Sequence, residues 1–86
     1  MVDHRITLAR SARKELEDLP ALVVARVWSK IEALAVEPRP RGSRKIRGAR
    51  NLWRLRVGDY RVVYSVDDQQ RLVDIVAVRH RSSAYA

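Results

Sequence analysis

An α+β fold with the element order β-αα-βββ, a helical hairpin packed on one face of a small antiparallel sheet, is what this 86-residue chain predicts. Three observations carry it. Apolar residues recur at helical spacing from Ala12 to Leu34, with one interruption at Pro20. Three runs rich in β-branched and aromatic residues follow one another between Leu52 and Val78. The stretch separating these zones is dense in proline, glycine and basic residues and reads as loop. No internal repeat, low-complexity tract or linker divides the chain. Residues 1–86 are therefore expected to form one domain, near the small end of what a single hydrophobic core sustains.

The elements follow in order. His4 to Leu8 alternates, with Ile6 and Leu8 on one side, as a short first strand does. Ser11 is placed to cap a helix whose apolar stripe is Ala12, Leu16 and Leu19. Pro20 ends that helix and suits the first turn of the next. Val24, Val27, Ile31 and Leu34 are spaced by three, four and three, which predicts a second helix to about Val36. So short a break makes the pair an αα-hairpin. Glu37 to Asn51 is then mostly loop. Strands are predicted over Leu52 to Val57, Tyr60 to Val66 and Leu72 to Val78. The first two join through Gly58-Asp59, with glycine in the first loop position as a type II′ turn requires.

That two-residue loop fixes a register. Trp53 pairs with Tyr64, Leu55 with Val62 and Val57 with Tyr60 on the face the helices cover. Arg54 and Arg56 fall on the other face with Arg61, and Arg56 stands directly opposite Arg61. Like charges in that position are destabilising. The last strand is apolar on both faces, so alternation leaves the facing of Arg79, His80 and Arg81 open.

Charge is concentrated in the same region. Residues 1–37 balance six basic groups with six acidic ones, and residues 62–86 balance three with three. Residues 38–61 hold nine basic groups against Asp59 alone, so the whole net charge of +8 falls there. Charge confined to a quarter of the chain creates a local field suited to a polyanion. Arginine adds planar donors that match phosphate oxygens. The facing arginines read either as a preformed anion site or as a solvated face whose side chains splay into water.

Several chemistries are excluded. Without cysteine there are no disulfides or thiolate metal sites. There is no metal-spaced His, Asp and Glu cluster, no P-loop and no nucleophile elbow, so neither metal nor cofactor is expected. No apolar run approaches the roughly 18 residues that span a bilayer. The start of the chain also lacks a signal-peptide pattern. A cytoplasmic protein without a membrane partner is the expectation. His4 reads as an exposed structural residue at a strand edge, and His80, between two arginines, as a minor candidate for substrate contact.

The segments "KIRG", "LWRLRVGDYRVVYSV" and "VAVRHRSSAYA" resemble the RelE branch of the RelE/ParE toxin superfamily. The likeness runs over nearly the whole chain: the element order of a RelE-like fold, the basic loop, the "VGDYRVVY" hairpin and a closing "HRxxxY". It implies the toxin of a toxin–antitoxin pair, a messenger-RNA interferase that enters the ribosomal A site and cleaves without metal or small-molecule cofactor. In that reaction the RNA's 2′-hydroxyl attacks the adjacent phosphate. The partners implied are a RelB-like antitoxin, the ribosome and mRNA. By similarity the catalytic positions are Arg54, Arg56, Arg61, Arg81 and Tyr85, with Lys45, Arg47 and Arg50 gripping RNA phosphates. Family members carry lysines where this chain has Arg54 and Arg56. Arginine does not deprotonate in proteins, so the resemblance implies weaker activity that leans on charge stabilisation. The same fold also carries ParE-like toxins that act on DNA gyrase, and a basic nucleic-acid-binding module without catalysis is the third reading.

Overall fold

A computed structural model describes residues 3–82. Its elements are β1 (Arg5–Leu8), α1 (Arg10–Glu17), α2 (Ala21–Ala33), β2 (Ser43–Lys45), β3 (Leu52–Val57), β4 (Tyr60–Asp67) and β5 (Leu72–His80). The strands form one sheet in the order β1-β5-β4-β3-β2. The helices, the β3–β4 hairpin and the final strand thus stand where the sequence places them.

Three details differ. The segment after α2 is not all loop: Ser43–Lys45 forms an edge strand antiparallel to β3. Gly42 and Gly48 bracket it, both in the left-handed region that glycine enters at no steric cost. The sheet is mixed rather than wholly antiparallel, because β1 runs parallel to β5. Ser11 does not cap α1. The cap position is Ala9, and the Ser11 hydroxyl instead donates to the Val76 carbonyl at 2.8 Å.

That last contact belongs to a seam. β1 covers β5 only as far as Ile75, which leaves the rest of that edge with unpaired backbone groups. Helix α1 takes over: Ala9 N–H donates to the Ile75 carbonyl, Ser11 to Val76, and Glu15 accepts from the Val78 N–H at 2.9 Å.

The core lies between the helices and one sheet face. Ala12, Val27, Ile31 and Leu34 meet Leu55, Val57, Val62, Tyr64, Val73, Ile75 and Val78, all buried, with Trp53 and Tyr60 packed against them. Burying the Tyr64 ring pushes its phenol up from the ordinary value, with the Ser43 hydroxyl and Arg39 charge acting the other way. Its hydroxyl donates to the Pro38 carbonyl at 2.8 Å. The basic segment is therefore tied down at its start. Arg39 pins it further, lying 5.2 Å from the Trp53 ring centroid and forking onto Asp68 at 2.9 and 3.3 Å.

Candidate functional site

The hairpin has the expected register: Trp53–Tyr64, Leu55–Val62, Val57–Tyr60 and Arg56–Arg61. Gly58 has φ +60° and Asp59 is not in the positive region, as a type II′ turn requires. Arg54, Arg56 and Arg61 therefore share the face away from the helices.

Strand β5 adds a fourth arginine through an irregularity. Tyr64 pairs with Ile75, but the preceding residue of β4, Val63, pairs with Ala77, so Val76 is an extra residue, a β-bulge. Regular alternation from Val73 and Ile75 would turn Arg79 toward the helices. The bulge inverts the pattern: Val78 is buried in the core and Arg79 stands opposite Arg61 on the open face. His80 pairs with Tyr60 on the helix side, its ring edge-on to that of Tyr60 at 5.2 Å.

The open face thus carries two transverse rows. Arg56, Arg61 and Arg79 lie side by side across β3, β4 and β5. Arg44 and Arg54 lie beside Val63 and Ala77 in the next row, running from β2 to β5. Gly42, Arg44, Arg54, Arg56 and Arg61 line one concavity. Ile46, Val63, Val76 and Ala77, with Arg54, Arg61 and Arg79 around them, line a second whose floor is apolar. Arg54 and Arg61 are half-buried between their neighbours, and Arg56 is exposed.

Local bonds set the heads of these side chains. Arg56 Nε donates to the Gly58 carbonyl at 3.1 Å. Arg79 Nε donates to Glu15 Oε2 at 3.2 Å. The Arg81 backbone N–H donates to the Asp59 carbonyl at 2.7 Å, which holds the chain at Arg81 beside the hairpin tip, two residues beyond Arg79. His80 Nδ1 lies 2.8 Å from the Ser82 hydroxyl and 3.2 Å from the Ser82 backbone nitrogen, and its pairing with Tyr60 puts the residue on the helix side of the sheet.

The sequence-derived positions separate accordingly. Arg54, Arg56 and Arg61 are together, and Arg81 is brought to their edge. Tyr85 lies outside the described residues. Lys45 shares the side of Trp53 by pairing, but at the sheet edge it reaches a concavity with Arg44, Ile46, Arg47 and Arg54. Arg50 is exposed in the turn before β3. Two members of the site were not found by alternation alone, Arg44 and Arg79. The first depended on an unforeseen strand and the second on the bulge. His4 is half-buried rather than exposed, with Nε2 3.2 Å from Asp68.

Such a face can bind phosphate. It offers several always-charged forks at strand spacing, and a phosphate among them relieves their mutual repulsion. No group of three or more His, Asp or Glu side chains is arranged to hold a metal among the described residues. No helix there is long and apolar enough to cross a membrane.

Comparison with known proteins gives a consistent family. Residues 6–85 match the family described as the ParE toxin of type II toxin–antitoxin systems. A toxin RelE from Mycobacterium tuberculosis is 30% identical over 83 residues, covering 95% of this chain and 86% of that protein. A putative toxin RelE1 from Methanocaldococcus jannaschii is 28% identical, covering 93% and 92%. Among solved structures, the archaeal RelE–RelB complex from Pyrococcus horikoshii superposes with a TM-score of 0.82 at 31% identity, covering 95% of this chain and 99% of that one. The isolated E. coli RelE toxin gives 0.79 at 26% identity, covering 95% and 90%.

Proposed function

The chain belongs to the ParE toxin family within the RelE/ParE superfamily of type II toxin–antitoxin systems, and from that membership we propose a ribosome-dependent endoribonuclease that cleaves mRNA in the A site. The observation that carries this reading is the transverse row Arg56–Arg61–Arg79 on the open face. A row of fixed cations answers the need of a phosphoryl transfer, which is positioning and charge stabilisation more than covalent chemistry.

The reaction makes and breaks one bond each. The 2′-oxygen bonds to phosphorus as the bond from phosphorus to the 5′-oxygen breaks, leaving a 2′,3′-cyclic phosphate and a 5′-hydroxyl. Arg61 and Arg81 stabilise charge on the phosphoryl oxygens, Arg81 also serving the departing 5′-oxygen. Arg54 and Arg56 clamp the RNA beside it, and Tyr85 stacks on a base. None of the arginines accepts the 2′ proton, and His80 is on the other face. Protons therefore pass through water or groups of the ribosome, and the enzyme contributes charge. Lys45, Arg47 and Arg50 grip flanking phosphates. A RelB-like antitoxin silences the toxin by supplying an acidic or amphipathic segment; RelE structures similar to this chain were solved with RelB.

Primer extension on cellular mRNA after brief expression tests the reading. Cuts within translated codons that vanish when initiation is blocked are the expected result. A second reading, a toxin acting on DNA gyrase, is favoured by the ParE family description. Intact mRNA with relaxed or cleaved plasmid DNA would move the conclusion to it.

A further inference from the structure

Arg79 reaches the row on the open face, yet its charge is handled from helix α1. Glu15, 64 residues away, uses both carboxylate oxygens: Oε1 accepts the Val78 N–H at 2.9 Å and Oε2 accepts Arg79 Nε–H at 3.2 Å. Glu15 is itself well covered, its side chain 29% exposed against 51% for Arg79. The bulge directs Arg79 to the open face, and the free edge of β5 brings α1 close enough to hold it.

We propose that Glu15 is the positioning residue of this site, fixing the Arg79 guanidinium through Nε so that both terminal nitrogens are left for a phosphate of the RNA. The proposal rests on the nucleolytic reading above. A guanidinium fork recognises phosphate with paired parallel donors, so one held at its Nε edge loses little freedom when the other edge engages. Backbone contact and side-chain contact share one carboxylate. Helix α1, which carries no residue of the open face, thereby sets the end of the arginine row.

Glu15→Gln separates the two contacts. The amide oxygen still accepts the Val78 N–H, whereas the amide nitrogen donates and cannot receive Arg79 Nε–H. In NMR spectra of the free protein, the Arg79 Nε–H should exchange with solvent at least about tenfold faster in the variant, while the Val78 amide stays protected. Unchanged Nε–H exchange overturns the proposal.

Purified translating ribosomes then give the functional arm. Glu15→Gln should lower kcat about tenfold with KM within about twofold, as expected for a misplaced group. In an Arg79→Ala background it should cost nothing more. A purely structural role predicts the same loss in both backgrounds, and that outcome also sinks the idea.

If the wild-type protein does not cut mRNA, the cycle is repeated on the affinity for a short single-stranded oligoribonucleotide. Glu15→Gln weakening binding about threefold only when Arg79 is present leaves the positioning role standing and the nuclease reading fallen. Binding indifferent to Arg79→Ala defeats both.

Discussion

At the scale of single residues, the site is explained by what each arginine is opposite. Arg61 occupies the middle of the row, with Arg56 on one side and Arg79 on the other. Replacing it by alanine should leave the fold intact, since it lies on the uncovered face, and should lower cleavage by at least about a hundredfold. The same variant should make the salt dependence of single-stranded RNA binding shallower by about 0.7 in the slope of log K against log salt. A toxic Arg61→Ala variant with an unchanged salt slope would show that this face touches no phosphate. Asp68 permits a second test. The Arg39 guanidinium, and secondarily His4, hold its carboxyl below the ordinary carboxylate range. A depressed carboxyl contributes stability above its unfolded pKa and loses it as pH falls through the folded one. Thermal unfolding of wild type and Asp68→Asn should therefore differ at neutral pH, begin to converge only as pH falls below about 4, and meet once it is below the lowered folded pKa. Curves that stay apart in acid would mean that the ion pair is not the source of the difference.

At the scale of elements, the bulge decides the site. Val76 is the extra residue, so removing it leaves Ile75 and Ala77 pairing Tyr64 and Val63 as before. Deletion of Val76 should keep Arg79 opposite Arg61, seen as a cross-strand nuclear Overhauser contact between them. The stability loss should stay within about 2 kcal/mol, because the core partners are unchanged and the main contact given up is the Ser11 hydrogen bond. Arg79 found opposite Val62 instead would refute the bulge assignment. This element also marks how far the sequence could be read. The hairpin register followed from Gly58-Asp59 alone, because a two-residue loop leaves one pairing and a buried face leaves one facing. It placed Arg54, Arg56 and Arg61 correctly. Strand β5 is apolar on both faces around Val76, so a one-residue irregularity leaves no trace in its pattern, and Arg79 was undetermined. Arg44 was missed for another reason. A three-residue edge strand among prolines and glycines is held by pairing with β3, not by its own composition. Ser11 had the right residue type for a cap, but a tertiary acceptor at Val76 claimed its hydroxyl.

At the scale of the whole molecule, what matters is where the charge lies. The net +8 originates in residues 38–61, and the fold spreads that segment over β2, β3, the hairpin and the loops that join them, with Arg44, Arg54, Arg56 and Arg61 on the open face of the sheet. Residues 1–37, which include both helices, carry balanced charge, and the helices pack on the opposite face. A polyanion should therefore feel a local field and not a uniformly basic particle. Two triple variants distinguish these cases at equal net charge. Replacing Lys45, Arg47 and Arg50 by glutamine removes three charges beside the row; replacing Arg10, Arg13 and Lys30 removes three from the helices, all six side chains being exposed. The first set should reduce the slope of log K against log salt for single-stranded RNA by about two, at roughly 0.7 per phosphate contact. The second should leave the slope unchanged and shift affinity only slightly through the long-range field, which is damped beyond about 10 Å at 0.1 M salt. Equal losses from both sets would mean that total charge governs binding. In that case the arginine rows would be a solvated face after all.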